Sequence, residues 1–109
     1  MPIKQITALE LQQQMAQDGQ CLLLDVREVF EYRYAHIEGS IHVPLNGLPQ
    51  SQHLTTWDKG QNIVVICHHG MRSQQAAMFL ESKGFSNIAN LVGGIDAWSC
   101  QCDSSVPRY

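Results

Sequence analysis

Short apolar runs alternate with helix-forming stretches along this chain, and that alternation limits the folds open to it more than any other feature. Ile63-Val64-Val65-Ile66 is the clearest run, β-branched at every position, which suits a buried strand. The stretch from Ser73 to Lys83 follows it with Ala76, Ala77, Phe79 and Leu80 on one side and Gly84 just past its end. That spacing predicts a helix with Ser73 as its N-cap. Cys21-Leu22-Leu23-Leu24 leads into Asp25-Val26-Arg27 as a second strand, Ile41-His42-Val43 stops at Pro44 as a third, and Ile88 to Val92 precedes Gly93-Gly94 as a last one. Lys4-Gln5-Ile6 is read as a short first strand. Thr7 and Glu10 form a capping-box pair at the start of a helix running to Gln17, ended by Asp18-Gly19. Further helices are expected from Glu28 to Tyr34 and from Gly94 through Trp98, with turns and a short helix over 45–60 and a polar tail over 99–109. Alternating strands and helices predict a parallel sheet covered by helices on both faces, with a ligand site beyond the C-terminal ends of the strands.

Length and composition agree with a single domain over residues 1–109. A chain of 109 residues buries enough surface to fold without disulfides or metal. Its formal net charge of −3 gives no support for nucleic-acid binding. No stretch approaches the ~18 apolar residues of a membrane span. The opening Met1-Pro2-Ile3-Lys4-Gln5 has no apolar core of a signal peptide, so a cytoplasmic address is expected. There Cys21, Cys67, Cys100 and Cys102 would be reduced.

Chemistry concentrates where the strand over 63–66 runs directly into Cys67-His68-His69-Gly70-Met71-Arg72-Ser73. A tight strand-to-helix loop turns its backbone N–H groups toward one point, and the free N–H groups of the helix start add to them. Gly70 permits a backbone angle closed to side chains, and Arg72 adds a permanent positive charge. Such a cradle favours an anion, so Cys67 is expected to be a reactive thiolate at neutral pH, with amides and Arg72 adding to a helix dipole too weak to do this alone. A zinc site from Cys67, a histidine, Cys100 and Cys102 fits less well. Cys100-Gln101-Cys102 is tighter than the usual Cys-x-x-Cys, and adjacent His68 and His69 do not easily reach one ion together with Cys67. No metal and no cofactor are therefore expected.

Three motifs in order, Leu23-Leu24-Asp25-Val26-Arg27-Glu28 with Glu31-Tyr32 and His36-Ile37-Glu38-Gly39-Ser40-Ile41 and Pro44, then Cys67-x-x-Gly-x-Arg-Ser, then Leu91-Val92-Gly93-Gly94-Ile95-Asp96-Ala97-Trp98, resemble the rhodanese family across nearly the whole chain. Gly-Met-Arg-Ser and the terminal Val106-Pro107-Arg108-Tyr109 resemble most the rhodanese domains fused to ubiquitin-like-protein activating enzymes. The resemblance implies an α/β fold with a five-stranded parallel sheet flanked by helices on both faces. It also implies a thiosulfate sulfurtransferase that forms a cysteine persulfide at Cys67, with residues 68 to 73 as the substrate-binding loop. Thiosulfate or another sulfane-sulfur donor is then the small-molecule partner, with a protein donor or acceptor as a further possibility. Asp25 and Arg27 are read as supports of the loop, or simply as a structural ion pair. Arg72 either binds the anionic donor or holds the loop through an ion pair.

Two departures stand out. Ala35 occupies a position where the family often has glycine, which affects a turn, and Cys100 and Cys102 lie outside the family pattern. One of these two could serve as a second thiol that resolves or relays the persulfide; both could equally be incidental, and Cys21 is read as core. The rival enzyme is a cysteine phosphatase or arsenate reductase. Related phosphatase loops place five residues between cysteine and arginine, whereas His68, His69, Gly70 and Met71 make four here. The rival outside catalysis is a rhodanese-like binding module, and such modules typically lack the cysteine.

Overall fold

The computed structural model describes residues 3–17 and 21–109. Strands β1 (Lys4–Ile6), β2 (Leu22–Asp25), β3 (Ile41–His42), β4 (Ile63–Ile66) and β5 (Ile88–Leu91) alternate with helices α1 (Ala8–Gln17), α2 (Val29–Tyr34), α3 (His53–Thr56), α4 (Met71–Ser82) and α5 (Gly94–Gln101). A 3-10 helix over Leu45–Gln50 precedes α3. The strands form one sheet in the order β1-β5-β4-β2-β3, and every pairing is parallel. No helix among the described residues is long and apolar enough to cross a membrane.

Strand period explains the two cores. Along β4, Val64 and Ile66 face the side covered by α1 and α5, where they meet Leu11, Leu91, Ile95 and Trp98. Ile63 and Val65 face the side covered by α4, where they meet Ala76, Ala77, Leu80 and Phe85. A strand buried on both faces reads as an unbroken apolar run, which is what parallel sheets require. The capping box is formed as expected: the Thr7 N–H donates to Glu10 Oε1 at 2.9 Å, and the Glu10 N–H donates to Thr7 Oγ1 at 3.1 Å. The expected stop at Asp18-Gly19 lies outside the described residues.

Boundaries differ from the sequence expectation in two informative places. Helix α4 starts at Met71, with Gly70 before it, so Ser73 lies inside the first turn and is fully buried rather than capping the helix. Helix α5 continues to Gln101, and Val106 in the tail beyond it packs into the core beside α1 and α5. The polar composition over 99–109 hid that single anchoring valine. Ala35 is extended at φ −157°, so the position needs no glycine angle.

Candidate active site

Cys67 follows β4 directly, at the C-terminal end of the strand near the centre of the sheet order. It is 1% exposed. Its sulfur meets polar groups as well as apolar neighbours: the Gly70 N–H donates to Sγ at 3.0 Å, and Ser73 Oγ lies 3.3 Å away. Gly70 reaches this position with φ +111°, in the left-handed region. Among the described residues one amide contacts the sulfur, where the sequence suggests a ring of them. The backbone N–H groups of His68, His69, Met71, Arg72 and Ser73 make no hydrogen bond to the described residues, so the loop retains a set of unpaired donors around the helix start.

The outer side of the loop is held by α5. The Ile95 N–H donates to the Cys67 carbonyl at 2.8 Å, and the Asp96 N–H donates to the His68 carbonyl at 3.3 Å. These bonds use the loop's acceptors and leave its donors free. Gly94 makes the approach possible, since a Cβ there would sit 2.3 Å from the Cys67 carbonyl oxygen.

Arg72 is turned to a carboxylate rather than to the loop centre. Its Nη1 and Nη2 donate to the two oxygens of Glu31 at 2.6 and 2.9 Å. Glu31 also accepts from the Glu28 N–H at 3.0 Å and from the Tyr109 hydroxyl at 2.8 Å. Chiefly because of the Arg72 hydrogen bonds, the Glu31 carboxyl is held down at about 2. The same pairing raises Arg72 further above its already high value. Of the two roles open to Arg72 from sequence, the geometry supplies the ion pair that braces the loop.

Asp25 and Arg27 sit one level deeper, both fully buried. Arg27 Nε and Nη2 grip Asp25 at 2.9 and 2.6 Å, and Nη2 also donates to the Ala35 carbonyl. Arg27 Nη1 donates to the Tyr109 hydroxyl at 2.8 Å. Tyr109 thus passes a hydrogen bond from the buried pair to Glu31 and so to Arg72. Its ring stacks on His68 at 4.0 Å between centroids, and His68 stacks on His69 at the same 4.0 Å. Burial, then the neighbouring His69, push the His68 imidazole below its ordinary value and so favour its neutral form.

The other sequence candidates separate from the sulfur. The Met71 side chain is 81% exposed, so only its backbone belongs to the loop. Cys102 packs with the core on the α1 and α5 side and donates its thiol to the Ala8 carbonyl at 3.3 Å, whereas Cys67 belongs to the core on the α4 side. Burial raises the Cys102 thiol. Cys100 is exposed and Cys21 half-buried. No cysteine joins a metal-ligand group among the described residues; the donors that cluster are those of His68, His69 and Asp96. The two imidazoles are stacked at 27°, so an ion in the plane of one ring lies out of the plane of the other. Asp96 is already paired with Arg108 at 2.8 Å.

Three contributors carry no role in the sequence reading. Tyr109 sits at the end of a polar tail and carries no periodic signal. Gly94 stands in the closing motif Leu91 to Trp98, but nothing local in the sequence marks its close approach to the cysteine loop. Asn90 did leave a trace, as a lone amide in the otherwise apolar Ile88-Ala89-Asn90-Leu91, and it is 5% exposed.

Comparison with known proteins agrees with this geometry. The family model for the rhodanese-like domain matches residues 7–101. Thiosulfate sulfurtransferase GlpE of Haemophilus influenzae is 32% identical over 107 residues, covering 98% of this chain and 95% of that protein. The adenylyltransferase and sulfurtransferase uba4 of Ogataea parapolymorpha is 40% identical over 89 residues, covering 80% of this chain but 22% of that longer protein. Among solved structures, a rhodanese-like domain protein from Staphylococcus aureus superposes with a TM-score of 0.83 at 25% identity, covering 98% of this chain and 99% of that one. The five-stranded parallel sheet, the cysteine loop after its fourth strand and these matches along nearly the whole length place the chain in the rhodanese-like domain family.

Proposed function

We propose that this protein is a sulfurtransferase in which Cys67 carries the transferred sulfur, taken from thiosulfate or from a persulfide donor. The observation that carries the reading is the seating of Cys67: a sulfur after β4, touched by the Gly70 amide, in a loop whose remaining amides are unpaired among the described residues. The Cys67 sulfur, once deprotonated, attacks the outer sulfur of the donor. A sulfur–sulfur bond forms as the donor's own bond breaks, and sulfite or a thiolate leaves with the electron pair. The persulfide's outer sulfur carries negative charge, and the free amides of residues 68, 69 and 71 to 73 are the groups available to stabilise it. A nucleophilic acceptor, a thiolate or cyanide, then takes that sulfur and releases Cys67 as thiolate.

Arg72 serves this chemistry by holding the loop. An arginine clamped at 2.6 Å by Glu31 is not disposed to cradle a phosphoryl group, which disfavours the phosphatase alternative. A purely binding role leaves the polar seating of Cys67 without use. Asp25 and Arg27 support the site by anchoring Tyr109.

Intact-protein mass spectrometry after thiosulfate treatment tests the reading. Wild type is expected to gain one sulfur atom and Cys67→Ser none, with sulfur transfer to cyanide lost and the melting temperature kept. Equal sulfur uptake by both proteins, or sulfur transfer retained by Cys67→Ser, overturns it.

A further inference from the structure

The hydrogen bonds around Asn90 set the direction of the one contacting Cys67. The Asn90 side chain faces the Gly70 carbonyl at 3.2 Å and Gln5 Oε1 at 3.0 Å. A carbonyl only accepts, so the atom facing it is the amide nitrogen, and both of its protons are then used. Asn90 Oδ1 consequently faces Ser73, whose hydroxyl donates to it. Ser73 has a single proton. With that proton committed to Asn90, the hydroxyl presents a lone pair to Cys67 Sγ at 3.3 Å.

We propose that Asn90 is a positioning residue for Cys67, acting through Ser73: by holding the serine proton it makes the hydroxyl accept from the Cys67 thiol instead of donating to the thiolate. Ser73 and Asn90 are both buried, and Ser73 is the only donor to Asn90 Oδ1 among the described residues. Turning the serine proton toward the sulfur would strand that oxygen in the interior. This contact therefore favours the Cys67 thiol over the thiolate, opposite in sense to the Gly70 N–H that donates to the same sulfur. In the persulfide the negative charge sits on the outer sulfur, one bond further from the serine lone pair. The arrangement thus favours charge on the transferred atom over charge on the carrier. It also reverses the simplest reading of a serine beside a reactive cysteine, in which the hydroxyl stabilises the anion.

This inference builds on Cys67 as the sulfur carrier, but its test reads the thiol itself. The thiolate absorbance of Cys67 is followed against pH as the difference between each protein and its Cys67→Ser counterpart. Asn90→Leu releases the Ser73 proton toward the sulfur and is expected to lower the titration midpoint by about one pH unit, the size of one hydrogen bond to a charged group. Asn90→Asp keeps an acceptor for Ser73 and adds negative charge, so its midpoint should not fall. Ser73→Ala removes the lone pair facing the sulfur and is expected to lower the midpoint; in its background Asn90→Leu should shift nothing further. A midpoint raised by Ser73→Ala shows that the hydroxyl donates to the thiolate and overturns the proposal. So does an unshifted midpoint in a folded Asn90→Leu protein. If Asn90→Leu does not fold, the direction of the Ser73→Ala shift decides alone. Failure of wild type to take up sulfur from thiosulfate would instead sink the carrier reading and leave this titration unaffected.

Discussion

Glu31 shows how much one side chain can gather. Its carboxylate accepts from the Glu28 N–H, both Arg72 Nη atoms and the Tyr109 hydroxyl. The carboxyl is held down at about 2 against an ordinary 4.5, so the unfolded chain binds the proton more readily in acid. Its contribution to stability is therefore complete above about pH 4.5 and is lost as the pH falls through about 2. Thermal melts of wild type should drop across that window, and Glu31→Gln should flatten the drop while lowering the melting temperature at pH 7. Arg72→Met removes the same pairing from the other side. Glu31→Gln/Arg72→Met should then cost less than the sum of the two single changes, because each leaves the other group without its partner. Additive melting temperatures would show that the pair is not coupled. Cys67 belongs to this scale as well. Its type and place were legible from the sequence because a cysteine closing an apolar strand before a glycine is a local pattern. The direction of its contact with Ser73 was not, because Asn90 lies 17 residues from Ser73.

Among the elements, the α5 start and the cysteine loop act as one unit. Gly94, at φ +59° and buried, brings the Ile95 and Asp96 amides onto the Cys67 and His68 carbonyls. Alanine there meets the Cys67 carbonyl oxygen at 2.3 Å and the left-handed backbone at once. The backbone conformation alone costs about 1–2 kcal/mol, and relief of the contact requires the loop to move. Gly94→Ala should lower both the melting temperature and the rate of sulfur loading onto Cys67, although the residue touches no substrate. A variant that melts lower but loads sulfur at the wild-type rate would separate α5 from the loop's function. The strand and helix order was readable from sequence, since parallel pairing demands runs apolar on both faces. The N-cap of α4 lies three residues before the expected Ser73, which is a good cap by type, because Gly70 takes the backbone angle that lets the helix begin earlier.

Over the whole molecule, the chain from β2 to its last residue closes on one polar network. Tyr109 accepts from Arg27 and donates to Glu31, 82 and 78 residues away. Burial first, with Glu31 adding to it and Arg27 opposing, raises its phenol to about 12. A raised phenol stabilises the fold fully below the ordinary value of 10 and loses that contribution as the pH climbs through about 12. Tyr109→Phe keeps the ring on His68 but loses both hydrogen bonds, at a cost of about 1 kcal/mol for a half-exposed group. It should also remove part of the alkaline loss of stability, as melts between pH 9 and 12 would register. If melts of wild type and Tyr109→Phe coincide throughout, the tail is a bystander.

The amino-acid sequence by itself determined the order of strands and helices, the two apolar faces of the sheet, and the cysteine loop at the end of β4. Each of these is set by periodicity or by neighbours within a few residues. Only the tertiary structure decided that Arg72 pairs with Glu31, that Asn90 holds the Ser73 proton, that one amide contacts the sulfur, and that Tyr109 joins the buried ion pair to the loop. Those partners lie on different elements, and a polar side chain's choice among distant donors and acceptors is made by packing, which leaves no repeat along the chain to read.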